Sequence, residues 1–157
     1  MSLYLIGLGL GNHKDITVKG LEVVKASEEI YLESYTSCLG VKKEELEKFY
    51  GKEITELWRE DVEYGADDML DKIKANPDKH YSFLVIGDPL CATTHIDIYY
   101  RALKKGIKVE VIHNASIMNA VGCCGLHVYD FGATISMCFF TETWKPMSWY
   151  NKVLANR

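Results

Sequence analysis

A short apolar run that ends in glycines opens the chain: Leu3-Tyr-Leu-Ile-Gly-Leu-Gly9. An unbroken apolar stretch of this length suits a strand buried on both faces, which is the habit of parallel sheets. Glycines just after it let a backbone approach a neighbour or a ligand without a side chain in the way. Once the first element is a doubly buried strand, the remaining sequence has to supply helices to cover both faces.

The sequence supplies them in alternation. Asp15 or Thr17 is placed to cap a helix with Val18, Leu21 and Val24 on one side. Ile30-Tyr-Leu32 reads as a second strand, residues 42–50 as a charged helix and 53–58 as a third strand. Val62, Ala66, Met69, Leu70 and Ile73 share one helical face, and Pro77 stops that pattern. Tyr81-Ser-Phe-Leu-Val-Ile86 is a fourth strand running into Gly87-Asp88-Pro89. A helix over 94–105 follows, with Gly106 as its stop, and then the strand Val109-Glu-Val-Ile112. Ser116 is placed to cap a helix through Cys124, apolar nearly all round and therefore expected to be deeply packed.

Such alternation predicts an α/β fold, a five-stranded parallel sheet with right-handed crossovers and helices on both faces. Residues 1–127 are expected to form this domain. Beyond Gly125 the pattern changes. Ile135, Met137 and Phe139 alternate with polar or small residues as in a half-buried strand, and Pro146 opens a final helix carrying Trp149, Tyr150, Val153 and Leu154. Residues 128–157 read as the start of a second, truncated α/β domain. Its apolar surface predicts self-association, with a homodimer as the simplest form.

Composition narrows the function. With 18 basic and 22 acidic residues the net charge is −4, which gives no overall attraction to nucleic acid or an anionic membrane. Five cysteines with no C-x-x-C spacing read as reduced thiols in the cytoplasm, with no metal site. No stretch has the roughly 18 apolar residues of a membrane helix.

In an open parallel sheet, ligands bind beyond the carboxyl ends of the strands. Three loops there are unusual: Gly7-Leu-Gly-Leu-Gly11, Gly87-Asp-Pro-Leu-Cys-Ala-Thr-Thr94 and His113-Asn-Ala-Ser-Ile117. The first resembles a dinucleotide fingerprint, with Glu33 as a ribose-binding acid, but Asn12 stands where the third glycine belongs. Asp88 can hold a cation or a ribose hydroxyl, or simply be satisfied inside its own turn. Helix starts at Thr94 and Ser116 offer free N–H groups.

Taken together with Asp15-Ile-Thr-Val-Lys-Gly-Leu21, Tyr35-Thr-Ser37 and Ala120-Val-Gly-Cys-Cys-Gly-Leu126, these loops give the chain a marked similarity to the diphthine synthases, a branch of the tetrapyrrole-methylase superfamily. The resemblance runs through essentially the whole chain. It implies a methyltransferase that uses S-adenosyl-L-methionine, releases S-adenosyl-L-homocysteine and methylates a modified histidine of elongation factor 2 in diphthamide synthesis. It also implies two α/β domains with the methyl donor between them. Carried over residue by residue, the donor contacts are Leu10, Asp88, Cys91, Ser116 and Ile117; Cys91 stands where relatives often carry glycine or valine. With only the N-terminal part of such an enzyme, the chain is expected to be inactive alone.

Methyl transfer from a sulfonium mainly needs alignment and exclusion of water, so no strong catalytic dyad is expected. His113 is a conceivable proton acceptor, Tyr35 and Thr36 are placed toward the acceptor, and His95 has no assigned role. The other readings are a non-catalytic interaction fragment, a dinucleotide-binding enzyme and a methyltransferase acting on a cobalamin precursor.

Overall fold

The computed structural model of the protein describes residues 2–156. It divides into two compact units, one ending at Ala120 and one beginning at Val121.

The first unit is a five-stranded sheet, parallel throughout. Its strands are β1 (Ser2–Gly7), β2 (Glu29–Glu33), β3 (Thr55–Leu57), β4 (His80–Val85) and β5 (Lys108–Ile112), in the order β3-β2-β4-β1-β5. The helices are α1 (Val18–Ala26), α2 (Lys43–Tyr50), α3 (Arg59–Glu63), α4 (Ala66–Ala75), α5 (Ile96–Lys104) and the single turn α6 (Ile117–Ala120).

Strand alternation sorts the core into two layers. Leu3, Leu5, Tyr81, Phe83 and Val85 face α3, α4 and α5, meeting Val62, Leu70, Ile73, Ile98 and Ala102. Ile6, Leu84, Ile30 and Leu32 face the opposite way and pack with Val24, Leu46 and Tyr50. Leu3, Leu5, Ile6, Phe83 and Leu84 are wholly buried, and each such side chain stabilises the fold by about 1.5–3 kcal/mol relative to exposure. The apolar run that opens the sequence is thus the middle of the sheet, between β4 and β5.

Local rules account for most helix ends. The Thr17 hydroxyl accepts from the Gly20 N–H at 3.0 Å and caps α1, while Asp15 belongs to a separate 3-10 turn capped by Asn12. Gly106 follows α5 with φ +77°, a left-handed conformation that suits glycine. Several expectations need correction. The helix expected through Val62 and Ile73 is broken at Tyr64-Gly65 into α3 and α4. The N–H groups of both Tyr64 and Gly65 bond back to the Glu60 carbonyl, which ends α3 before α4 begins. The helix expected to open at Thr94 begins at Ile96.

The largest departures lie near and beyond the division of the chain. The helix expected through Cys124 shrinks to α6 and a 3-10 turn over Val121–Cys124, with no buried residue in either. An all-round apolar pattern reads as deep packing only where other elements cover it. Residues 134–139 form no strand, and Phe139 is almost wholly exposed. Alternation marks a strand only when an edge is available to receive its backbone bonds. The second unit keeps one regular helix, α7 (Ser148–Ala155), without a buried residue. The Asn156 side chain pairs with the backbone of Ala133 at 2.7 and 2.9 Å and closes that unit on itself.

Candidate functional site

The strand order places a crossover at β1. From β1 the chain passes over β4 to β2, and it returns later to β5 on the other side. A crevice opens at the carboxyl ends of strands where the order reverses in this way. The loops after β1, β4 and β5 are therefore brought together from distant parts of the sequence.

Backbone bonds lock the first two loops. Gly87 donates to the Gly9 carbonyl at 2.8 Å, and Gly9 returns a bond to the Gly87 carbonyl at 3.3 Å. Both residues have positive φ, +75° at Gly9 and +82° at Gly87. A Cβ on Gly7 would lie 2.5 Å from the Gly87 carbonyl oxygen, so no other residue fits there without displacing backbone.

Asn114 ties in the third loop. Its side-chain amide donates to the carbonyls of Gly7 and Asp15, each at 2.9 Å, while its Oδ1 accepts from the Ala115 N–H at 2.7 Å. Sequence reading assigned Asn114 no role. Nothing in a lone asparagine after a strand announces two long-range backbone partners.

Beneath these loops lies Asp88, with only 3% of its surface exposed. Oδ1 accepts from the Leu90 N–H at 2.9 Å. Oδ2 lies 2.7 Å from His113 Nδ1 and accepts from the Asn114 N–H at 3.2 Å. Burial pushes this carboxyl up, but the bonds from Leu90, His113 and Asn114 outweigh it and hold the group below the ordinary carboxylate range. An ionised carboxylate can only accept, so His113 Nδ1 carries the proton of this contact.

These three loops and the loop after β2 enclose a cavity of about 70 Å³. Leu10, Cys91, Ser116 and Ile117 line it, and Thr36 and Thr93 add hydroxyls. Four of the five residues singled out from the sequence thus share one cavity. Asp88 does not line it and acts on the loops that do. The Ser116 hydroxyl accepts from the Met118 N–H at 3.2 Å, and its own N–H donates to Asn119 Oδ1 at 3.1 Å. The free N–H expected of Ser116 is therefore engaged within the loop. Cys91 is exposed. Desolvation of the sulfur and the charge of Asp88 push its thiol up, the opposite of what a reactive thiolate needs.

Two buried ionisable groups stand behind the cavity. Glu33 ends β2 fully buried, and its carboxylate accepts from the Thr36 hydroxyl at 2.6 Å and the Thr36 N–H at 3.0 Å. His95 is also buried, with Nδ1 2.5 Å from the Thr93 hydroxyl and Nε2 without a partner. Desolvation holds this imidazole below the ordinary histidine range against the pull of Glu33. Ala92, between Cys91 and Thr93, has φ +59°, a strained conformation for a residue with a Cβ. Among the described residues no group of three or more His, Cys, Asp or Glu is placed to hold a metal ion.

The dinucleotide reading loses its support in this geometry. A 3-10 turn over His13–Asp15, rather than a helix, follows the glycine loop, and the Glu33 carboxylate is engaged by its own turn.

Comparison with known proteins agrees with the architecture. Residues 2–157 match the family Tetrapyrrole (Corrin/Porphyrin) Methylases. The chain belongs to this family. It is 58% identical over 159 residues to the diphthine methyl ester synthase of Dictyostelium discoideum, covering all of this chain and 57% of that protein. It is also 58% identical over 155 residues to the human diphthine methyl ester synthase, covering 99% of this chain and 53% of the human one. A crystal structure of diphthine synthase superposes with a TM-score of 0.78 at 45% identity, covering 84% of this chain and 52% of that one. This tetrapyrrole-methylase chain therefore spans about half the length of the curated relatives it matches. No helix among its described residues is long and apolar enough to cross a membrane.

Proposed function

We propose that the chain is the methyl-donor-binding portion of a methyltransferase of the diphthine methyl ester synthase type, acting in the cytoplasm on a modified histidine of elongation factor 2. The observation that carries this reading is the convergence of Leu10, Cys91, Ser116 and Ile117, from three separate loops, on one cavity at the switch point of the sheet. Similarity to diphthine methyl ester synthases supports the choice of substrate.

The residues suit S-adenosyl-L-methionine. Leu10 and Ile117 offer apolar surface, and the bare backbone at Gly87 allows close approach. A cavity of about 70 Å³ is small beside the ~300 Å³ or more of a complete ligand pocket, so it takes one end of the molecule. The rest lies along the crevice, under cover from outside this unit. That need for cover is why the chain alone is proposed to be inactive.

When bound, the donor supplies a methyl group already activated by its sulfonium. Its transfer to an acceptor nitrogen or carboxylate oxygen would release S-adenosyl-L-homocysteine, and an amine acceptor would react already deprotonated, its proton left to solvent. What remains for the protein is to hold the partners in line and keep water out. The Gly9–Gly87 staple and the Asn114 latch make the loops rigid for that purpose.

Calorimetry tests the donor assignment. S-adenosyl-L-methionine and S-adenosyl-L-homocysteine should bind, NAD should not, and Asp88→Ala should weaken binding. Binding of NAD with neither adenosyl compound bound defeats it. Methyl incorporation into elongation factor 2 carrying the unmethylated intermediate, by a full-length protein containing this sequence, tests the acceptor. Exposed Met137, Phe139 and Phe140 also support self-association as part of this reading, and light scattering that gives a strict monomer at high concentration argues against it.

A further inference from the structure

We propose that Thr36 presents an ammonium-binding oxygen to the crevice, held in that role by the buried carboxylate of Glu33. The placement of a ligand there rests on the methyl-donor reading above; the chemistry of Thr36 does not.

Glu33 is wholly buried at the end of β2. Its Oε1 accepts from the Thr36 hydroxyl at 2.6 Å, and its Oε2 accepts from the N–H of Thr36 at 3.0 Å and of Tyr35 at 3.4 Å. All three contacts are donors aimed at an acceptor. A hydroxyl has one proton, and here it is committed to the carboxylate. Thr36 lines the cavity, and with its one proton directed at Glu33 its Oγ1 has only lone pairs left. A ligand meets an oxygen that accepts and cannot donate. Such a group selects N–H donors, and a cationic one most strongly.

The surroundings are mixed in charge, with carboxylates in the majority. Ser37 and Ile86 line both this cavity and an adjoining groove of about 430 Å³. The carboxylates of Glu44 and Glu56 and the indole of Trp58 line that groove and favour a cation, while Lys42 and Lys43 on the same wall oppose one. Thr36 thus precedes Ser37, at which the two spaces meet.

The chemistry selected is an aliphatic ammonium. The proposed reaction brings two, the amino group of the methyl donor's amino-acid end and the amine of the acceptor. Calorimetry on the chain with S-adenosyl-L-homocysteine and its deaminated analogue addresses the first. If the donor's amine is the partner, the wild type prefers the amine-bearing compound by about tenfold. Thr36→Val then loses the preference and Thr36→Ser keeps it. If the two compounds bind alike, n-butylammonium is titrated against the chain saturated with S-adenosyl-L-homocysteine, with n-butanol as control, and followed by NMR at the Thr36 amide. A shift produced by the ammonium alone, absent in Thr36→Val and kept in Thr36→Ser, assigns the site to the acceptor's amine. No discrimination in either arm overturns the proposal, and urea midpoints of both variants separate that outcome from unfolding. Should neither adenosyl compound bind the wild type, the methyl-donor reading fails, and the ammonium titration of the bare chain still decides the role of Thr36.

Discussion

Asp88 Oδ2 and His113 Nδ1 lie 2.7 Å apart, the carboxylate buried and 68% of the imidazole side chain exposed. The contact joins the end of β4 to the end of β5. The asymmetry makes Asp88 the fixed partner and His113 the oriented one.

Asp88→Asn should therefore cost about 2–3 kcal/mol, because one of its acceptor atoms becomes a donor facing N–H groups that need an acceptor. His113→Ala should cost less than about 1 kcal/mol, since the exposed ring gives up one solvent-accessible bond. Urea denaturation of both variants checks the order. The lowered Asp88 carboxyl contributes stability that is complete above the ordinary value of 3.8 and is lost as pH falls toward its folded value.

His95 gives a second pH dependence at a higher range. Its folded value lies below the ordinary 6.5, so the unfolded chain binds the proton more readily. Stability should be fully present above about pH 6.5 and fall as the pH drops below it. Glu33 and Tyr35 face the ring, Glu33 favouring the proton and so limiting the effect. Denaturation midpoints between pH 7.5 and 5 should fall in the wild type and fall less in His95→Gln.

Two glycines separate crowding from conformation. Gly7→Ala places a Cβ 2.5 Å from the Gly87 carbonyl oxygen and should cost about 3 kcal/mol. It should also weaken donor binding, since the loops that it wedges apart form the cavity. Gly106→Ala meets open space, and only its φ of +77° opposes it, at about 1 kcal/mol with no effect on binding. Thermal denaturation and calorimetry on the pair provide the check.

Cys91 should be a slow thiol despite its exposure. Alkylation by iodoacetamide at pH 7 should proceed no faster than for a free cysteine, because its thiol is held up by desolvation and by Asp88. Cys91→Ala should leave donor affinity within about twofold, as a small residue fills the same place on the cavity wall.

Much of this molecule could be read from its residues. The apolar run at 3–9 identified the central strand, the period of 3.6 found α4 through Leu70 and Ile73, and Gly106 marked the end of α5. Three of the loops that form the cavity were visible as unusual turns at strand ends, and family resemblance picked four of its lining residues. These signals are local, or nearly so, and backbone preference and burial act on them directly.

What the sequence by itself determined, then, is the order of strands and helices in the first unit, though not every helix boundary, and three of the loops that gather at the crevice. Tertiary structure decided what those segments do. Asp88 proved to be a buried tie for Leu90, His113 and Asn114, and Asn114 became a latch across residues far apart in the chain. It also decided that residues 134–139 form no strand despite their alternation. A hydrogen bond or a burial needs a second partner, and where that partner is remote in the chain only the folded molecule supplies it.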